Sequence, residues 1–393
     1  MNLEGKYIKK LFFLLQNEPK FLVDWFLNKL KILIFLFLFS PFLYINRLLP
    51  INKRLHFANF RSERIAHFAM GFYIRYAKVK TKKYNKNCLY CFNKDISNKF
   101  LAKKIKEIFF VNRVISYIII ISKILPFLDC LIDREPIMAA RDTEGITQKT
   151  NLPSIFNNKD ERFCHNWLKS YGWQGPNQKI ICVHVRDSLY LSKVFDRIEF
   201  KKSHWDYHSY RDANIDDFSE SITWLIEQGY FVIRTGKYCH KELKIESKSL
   251  IDYPFCKDQN DLLDIWLFAN CDLVITTGSG IDEISTFYNV PKINVNYLPL
   301  SNAQSWAKSL TIPKHLYWSD TKKHLNFDEY MSLNSAKATL DYKNKNIKIK
   351  DLSSKEILNI TQDGVNYFLK NKEISINDFQ ITRLFKEHIK QNK

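Results

Sequence analysis

The sequence predicts an α/β protein built on parallel strands, and three observations carry that prediction. Downstream of Gln178, short apolar runs alternate with helical patterns, and each run ends in polar residues, the order expected of a parallel sheet. Upstream, between Leu55 and Val111, a fainter alternation of the same kind is visible. The chain has 393 residues, of which 46% are hydrophobic and 15% aromatic, with only 10 Gly and 11 Pro. That composition buries enough apolar surface to offset chain entropy, so disordered and collagen-like chains are excluded. At ~150 residues per domain, two to three domains are expected.

In chain order, the first segment is the least like a soluble domain. Residues 1–150 carry 27 Lys and Arg against 11 Asp and Glu, whereas the remaining 243 are nearly balanced at 33 against 30. A cationic excess confined to one part points to an anionic partner there. The uncharged run Ile32–Ile45 (ILIFLFLFSPFLYI) has Lys29 and Lys31 before it and Arg47, Lys53 and Arg54 after it. It falls short of the ~20 apolar residues of a spanning helix, and Pro41 interrupts it. Cations on both flanks give little orientation bias, and no small-residue cleavage site follows. A monotopic or re-entrant insertion is expected, helped by the basic, apolar stretch from Lys6 to Leu22 lying at an anionic membrane surface. The competing expectation is a buried helical hairpin. The run Val114–Leu128 contains Lys123 and Pro126 and reads as core.

Between these runs, Leu55–Ala58 reads as a strand, Arg61–Tyr76 as a helix, Asn87–Phe92 as a strand, Ser97–Lys106 as a helix capped by Ser97, and Ile108–Val111 as a return to the sheet. Asp133–Asn158 loses periodicity and gains Pro, Thr and Asn, which places a domain boundary near residue 150. Then come strands at Ile180–Val185, Tyr230–Ile233, Ser249–Ile251, Leu273–Ile275 and Lys292–Val295. Helices are expected from Asp216 to Gly229, from Asp258, and from Asp282. Near the C-terminus, Ser353 to Glu356 has capping-box spacing. The expected domains are therefore a membrane-associating segment (1–53), an N-terminal α/β domain (54–150), a C-terminal α/β domain (151–340) and a helical region (341–393).

Eight cysteines lack the regular framework of a small secreted domain, and Cys182 and Cys271 adjoin buried strands, so free thiols in a reducing compartment are expected. Cys88 and Cys91 have zinc-like spacing but no second ligand pair downstream. No metal is expected. Basic residues of the first segment alternate with aliphatic runs, a poor surface for stacking on bases, so no nucleic-acid partner is expected.

In parallel sheets, ligands sit outside the carboxyl ends of the strands. Those ends carry His184, Arg186 and Asp187; Arg234, Gly236 and Lys237; and Thr277, Gly278, Ser279, Gly280 and Asp282. Cations and glycine-freed backbone suit a diphosphate, although internal carboxylates would satisfy the same arginines. The TTGSG loop lacks both GxGxxG and a Walker lysine, which excludes hydride-transfer and NTPase readings of it. The loop His208-Ser209-Tyr210-Arg211-Asp212 is dense in functional groups.

The motifs HVRDSLYL (184–191), HSYRDA (208–213), GYFVIRTGK (229–237) and DLLDIWLFANCDLVITTGSGID (261–282) resemble those of a bacterial glycosyltransferase family associated with surface-polysaccharide and lipopolysaccharide gene clusters. RSERIAHFA (61–69) resembles its N-terminal half, with Ala66 where glycine is more usual. The resemblance implies a GT-B architecture, two Rossmann-like domains facing a cleft. It also implies a nucleotide-sugar co-substrate and a glycan or lipid-linked acceptor, and the basic N-terminal part would hold the chain at the cytoplasmic face of the inner membrane, where such acceptors reside. The HxR element is similar to that of fucosyltransferase-type enzymes and implies that Arg186 meets the donor pyrophosphate. His184, Arg211, Arg234, Gly236, Lys237, Thr277, Gly278, Ser279, Gly280 and Asp282 complete the expected donor site. The chain has no Asp-x-Asp triplet, which fits metal-independent transfer. A base is needed for the acceptor hydroxyl, and Asp187, His208 and Asp212 are the candidates. A pyruvyl or phospho-sugar transferase on the same scaffold, and a non-catalytic membrane-bound binding protein, remain alternatives.

Overall fold

The computed structural model describes residues 19–84, 87–134, 142, 144–150, 152–195, 206–303, 307–333, 336 and 338–371. The chain separates into two compact units: residues 1–97 with 102–139, and residues 98–101 with 140–393. The expected boundary at 150 therefore moves to 139/140. Both units are α/β with parallel strands, the class read from the sequence.

The first unit opens with helix α1, Pro19–Leu48, continuous through Pro41. The run Ile32–Ile45 is thus helical throughout, without a break at Pro41. Within it Lys29–Leu48 forms 20 residues of mean hydropathy 1.6, long and apolar enough to cross a membrane, and only 11% buried. The hairpin expectation fails on that exposure: Phe37 is 81% and Leu38 62% exposed. One stripe of α1, Phe35, Leu36, Phe39 and Leu43, does pack on the protein, against Ile115, Ile118 and Ile121 of helix α4 (Val114–Ile124). At its end the buried Asn46 gives and takes a hydrogen bond with the Leu55 backbone, at 2.8 and 2.9 Å. The basic stretch before Pro19 lies outside the described residues.

Strands β1 (Leu55–Phe60) and β2 (Asn87–Phe92) pair in parallel across helix α2 (Ile65–Lys80). Single parallel bridges, Phe57 to Ile132 and Tyr90 to Val111, extend the pair on both sides. The expected return strand at 108–111 is thus reduced to one bridge. Helix α3 spans Lys99–Ile108, and Asn98 rather than Ser97 caps it, its Oδ1 accepting the Leu101 amide at 2.8 Å. Cys88 and Cys91 lie three apart in β2 and so point to opposite faces of the sheet, which removes the zinc-like pairing.

The second unit is a six-stranded parallel sheet in the order β5-β4-β3-β6-β7-β8. Its strands are β3 (Ile180–His184), β4 (Phe231–Arg234), β5 (Leu250–Asp252), β6 (Leu273–Thr276), β7 (Lys292–Asn294) and β8 (Ser309–Thr311). Strand β8 and helix α5 (Asn158–Ser170) were not foreseen. One sheet face carries Ile181, Val183, Val232, Leu273, Ile275, Ile293 and Leu310, which pack with helices α6 (Ser219–Glu227) and α9 (Ser354–Lys370). Residues 341–393 are therefore not a separate region where described: α9 is a layer of this unit. The predicted Ser353 capping box starts it. The other face meets helix α7 (Asp261–Asn270), capped by Asn260, through contacts such as Cys182 Sγ to the Leu267 carbonyl. The short helix α8 (Glu283–Phe287) follows β6. A small antiparallel pair, β9 (His315–Trp318) with β10 (Ile347–Lys350), stands apart from the main sheet.

Candidate active site

Strand alternation decides which predicted residues can meet. The register pairs His184 with Thr276, Thr276 with Asn294, and Asn294 with Thr311. All four are buried, so the carboxyl edge of the sheet carries a polar row on the α7 face. Arg234 pairs with Val183 and with Asp252 and therefore points to the opposite, α6 face.

There Arg234 is 2% exposed. Its Nη1 donates to the Lys241 carbonyl at 2.6 Å and to both Asp252 oxygens at 3.2 Å. This corrects its assignment to the donor crevice, because its charge is neutralised beneath the strand end. Asp187, expected as a base, accepts from the Leu189 amide at 2.8 Å and from the amide and ring of His240. Both its oxygens are spent on joining two loops, and it borders with Arg234 a small hollow. Lys237 is held by Asp261 at 3.0 Å and lies 3.8 Å from Asp264. The second Asp261 oxygen accepts the Lys99 amide. Burial raises the Asp264 acid to about 6 despite Lys237. Gly236 turns the chain between Thr235 and Lys237, against Cys239.

The remaining residues converge. Thr277 Oγ1 accepts the Arg186 amide at 2.9 Å. Arg186 Nε donates to Asp212 at 2.9 Å, and its terminal nitrogens have no partner among the described residues. Arg211 donates through Nη2 to the Gly278 carbonyl at 2.7 Å, while its buried Nε has no partner among the described residues. Burial, and next the Arg211 charge, disfavour the charged form of Arg186. Burial raises the Asp212 acid above its ordinary value, against the pull of Arg186. Two guanidiniums thus lie near one another, Arg186 held by Asp212 and Arg211 by the Gly278 carbonyl, with donor capacity left over for an anion.

Gly278 adopts φ +77°, and a Cβ there would lie 2.5 Å from the Tyr297 ring, so the loop requires glycine twice over. Gly280 is outside the left-handed region. Asp282 organises the loop, its Oδ2 accepting Thr276 Oγ1 at 2.6 Å and the Ser279 amide at 3.0 Å. Its buried Oδ1 has no partner among the described residues. His184 is hydrogen-bonded on both ring nitrogens, to Thr235 and to Ser279, and burial lowers its pKa. His208 is half-buried in the turn Asp206–Arg211.

Sequence reasoning missed Thr235, although it lies inside the RTGK run, and Lys314. Buried Lys314 binds Asp351 at 2.7 Å and the Asp212 carbonyl at 2.6 Å, fixing the loop that carries Asp212. Nothing near Lys314 in the sequence announces that role. Among the described residues no group of three or more His, Cys, Asp or Glu is placed to hold a metal.

No protein-family model matches the chain, and no curated protein matches it in sequence. Among solved structures, two that are similar illustrate the likeness. One is the ADP-heptose LPS heptosyltransferase II of E. coli, at 11% identity and TM-score 0.36, over 65% of this chain and 90% of that one. The other is a glycosyl transferase family 9 protein of Veillonella parvula DSM 2008, at 9% identity and TM-score 0.45, over 83% of this chain and 100% of that one. Both neighbours are glycosyltransferases by name, and the likeness to them is one of α/β fold.

Proposed function

We propose that the chain is a glycosyltransferase that moves a sugar from a nucleotide-sugar donor to a lipid-linked or surface-glycan acceptor at the cytoplasmic face of the inner membrane. The observation that carries this is the pair Arg186 and Arg211, the first held by Asp212 and the second by the Gly278 carbonyl, near the carboxyl edge of a parallel sheet and with unspent N–H groups. Such a pair suits the charge of a departing nucleoside diphosphate. In the reaction, the acceptor oxygen bonds to the anomeric carbon of the sugar as that carbon's bond to the diphosphate breaks. Arg186 and Arg211 neutralise the diphosphate without a metal. Donor phosphate competes with Asp212 for Arg186, and a carboxylate so released, with its proton affinity raised by burial, takes the acceptor proton. Asp212 is thereby preferred as base over Asp187, whose oxygens are committed, and over His208.

Exposed apolar residues on α1 and the cationic excess of residues 1–150 support attachment to an anionic leaflet. The test is calorimetric titration of UDP-, GDP-, ADP- and CMP-sugars into the wild type and Arg186→Ala. Loss of hydrogen bonds to a charged ligand predicts roughly a ten- to hundredfold weaker affinity for the true donor. Unchanged affinity rejects the site, and a wild type that binds none of the four nucleotide sugars but binds phosphoenolpyruvate in a parallel titration rejects sugar transfer.

A further inference from the structure

The hydrogen bonds of His184 fix a polarity. Its Nδ1 lies 3.2 Å from the Thr235 carbonyl oxygen and 3.1 Å from Thr235 Oγ1, and its Nε2 lies 2.8 Å from Ser279 Oγ. A carbonyl oxygen only accepts, so the nitrogen facing it carries the ring hydrogen. The Thr235 hydroxyl has its own acceptor in the Val183 carbonyl, 3.4 Å away. The ring is buried, edge-on to Phe268 at 5.7 Å, and burial disfavours its cationic form. A neutral imidazole has one N–H, so Nε2 is a lone pair and Ser279 must be the donor.

A serine hydroxyl has a single hydrogen, and Ser279 has spent it on His184. To a ligand it offers only oxygen lone pairs. An ionised phosphate oxygen gains nothing from such a neighbour, whereas a carbohydrate hydroxyl does. This separates Ser279 from Arg186 and Arg211, although all three gather at one loop: Arg211 holds the Gly278 carbonyl, and the Arg186 amide is held by Thr277.

We propose that Ser279 accepts a hydrogen bond from a ligand hydroxyl rather than binding phosphate, and that His184 is the positioning residue that imposes this polarity. The inference rests on the glycosyltransferase reading. The hydroxyl belongs either to a sugar of the donor or to the attacking position of the acceptor, and the diphosphate is left to the two arginines.

Long-range ¹H–¹⁵N correlation NMR of the histidine rings tests the tautomer directly. A hydrogen on Nδ1 of His184 and a bare Nε2 are expected, and the Nε2–H form overturns the proposal. The second arm titrates inorganic pyrophosphate, and whichever of the four nucleotide sugars the wild type binds tightest, into wild type and Ser279→Ala. Pyrophosphate affinity is expected to stay within twofold. If the hydroxyl is the donor's, nucleotide-sugar affinity falls about fivefold. If it is the acceptor's, donor affinity holds while kcat falls about tenfold. Equal losses for both ligands overturn the proposal, as does a variant unchanged in both affinity and turnover. A wild type that binds pyrophosphate but no nucleotide sugar overturns the glycosyltransferase reading itself. A wild type that binds a nucleotide sugar, whose Ser279→Ala variant loses both ligands equally, removes only the role given to Ser279.

Discussion

Arg234 ends β4 and Arg186 lies two residues past the end of the adjacent β3, and their environments assign them different work. Arg234 is buried with the half-buried Asp252 beneath the sheet edge, so removing it leaves that carboxylate without its cation and destabilises the fold. Arg234→Ala is expected to unfold at markedly lower denaturant concentration, and Arg186→Ala to change stability far less while losing ligand affinity. Equal stability losses in chemical denaturation would contradict this division. Asp264 supplies a pH signature. Its acid is raised from 3.8 to about 6 in the folded protein, chiefly by burial. Between those values the folded state holds more protons than the unfolded one, so stability from this group falls as pH rises from about 4 to about 6. Asp264→Asn keeps an oxygen acceptor for the Tyr253 hydroxyl and removes that slope. The variant is expected to gain roughly 2 kcal/mol relative to wild type between pH 4 and 7, measured as the difference between their denaturation curves. At this scale the residue types of the site were legible in the sequence, and their commitments were not. Arginine, aspartate and lysine at strand ends look alike until the register shows which face each takes and which carboxylate lies beside it.

Helix α9 shows how an element can be legible in its start and hidden in its role. The capping box at Ser353 marks where the helix begins, but a helical pattern at the end of a chain does not reveal which layer it joins. Its place is set by Gly364, where an added Cβ would lie 2.2 Å from Ile293 Cδ1 and 2.7 Å from Ile293 Cγ1. Helix propensity alone says that Gly364→Ala stabilises by about 1 kcal/mol. Close packing on β7 reverses the sign, and a net loss of about 1–3 kcal/mol is expected. A higher melting temperature in that variant would show that the helix can move off the sheet without penalty. Strand β8 was hidden for a different reason. Ser309–Thr311 has a single apolar residue, Leu310, between two polar ones, and only pairing with β7 makes it a strand. In contrast β3, β4 and β6 are continuous apolar runs, buried on both faces, and could be read directly.

At the scale of the whole molecule, the division of charge and apolar surface matters most. The cationic excess belongs to residues 1–150, and the exposed aliphatic and aromatic residues are concentrated on α1. Leu33→Asp with Phe37→Asp places two charges on a face that is 60% and 81% exposed. The double variant is expected to fold normally and to lose most of its binding to phosphatidylglycerol-containing vesicles in a flotation assay. Retained binding would assign the attachment to other residues. Raising salt weakens the contribution of the basic residues and leaves that of the apolar face.

The main sheet closes on both sides with short strands, β5 and β8, three residues each. A chain gathered on a lipid surface meets its copies far more often than one dispersed in solvent. Long bare borders would invite those copies to zip together through backbone amides. These stubby borders offer a neighbour almost nothing to extend, so crowding on a bilayer need not become a route to insoluble stacks.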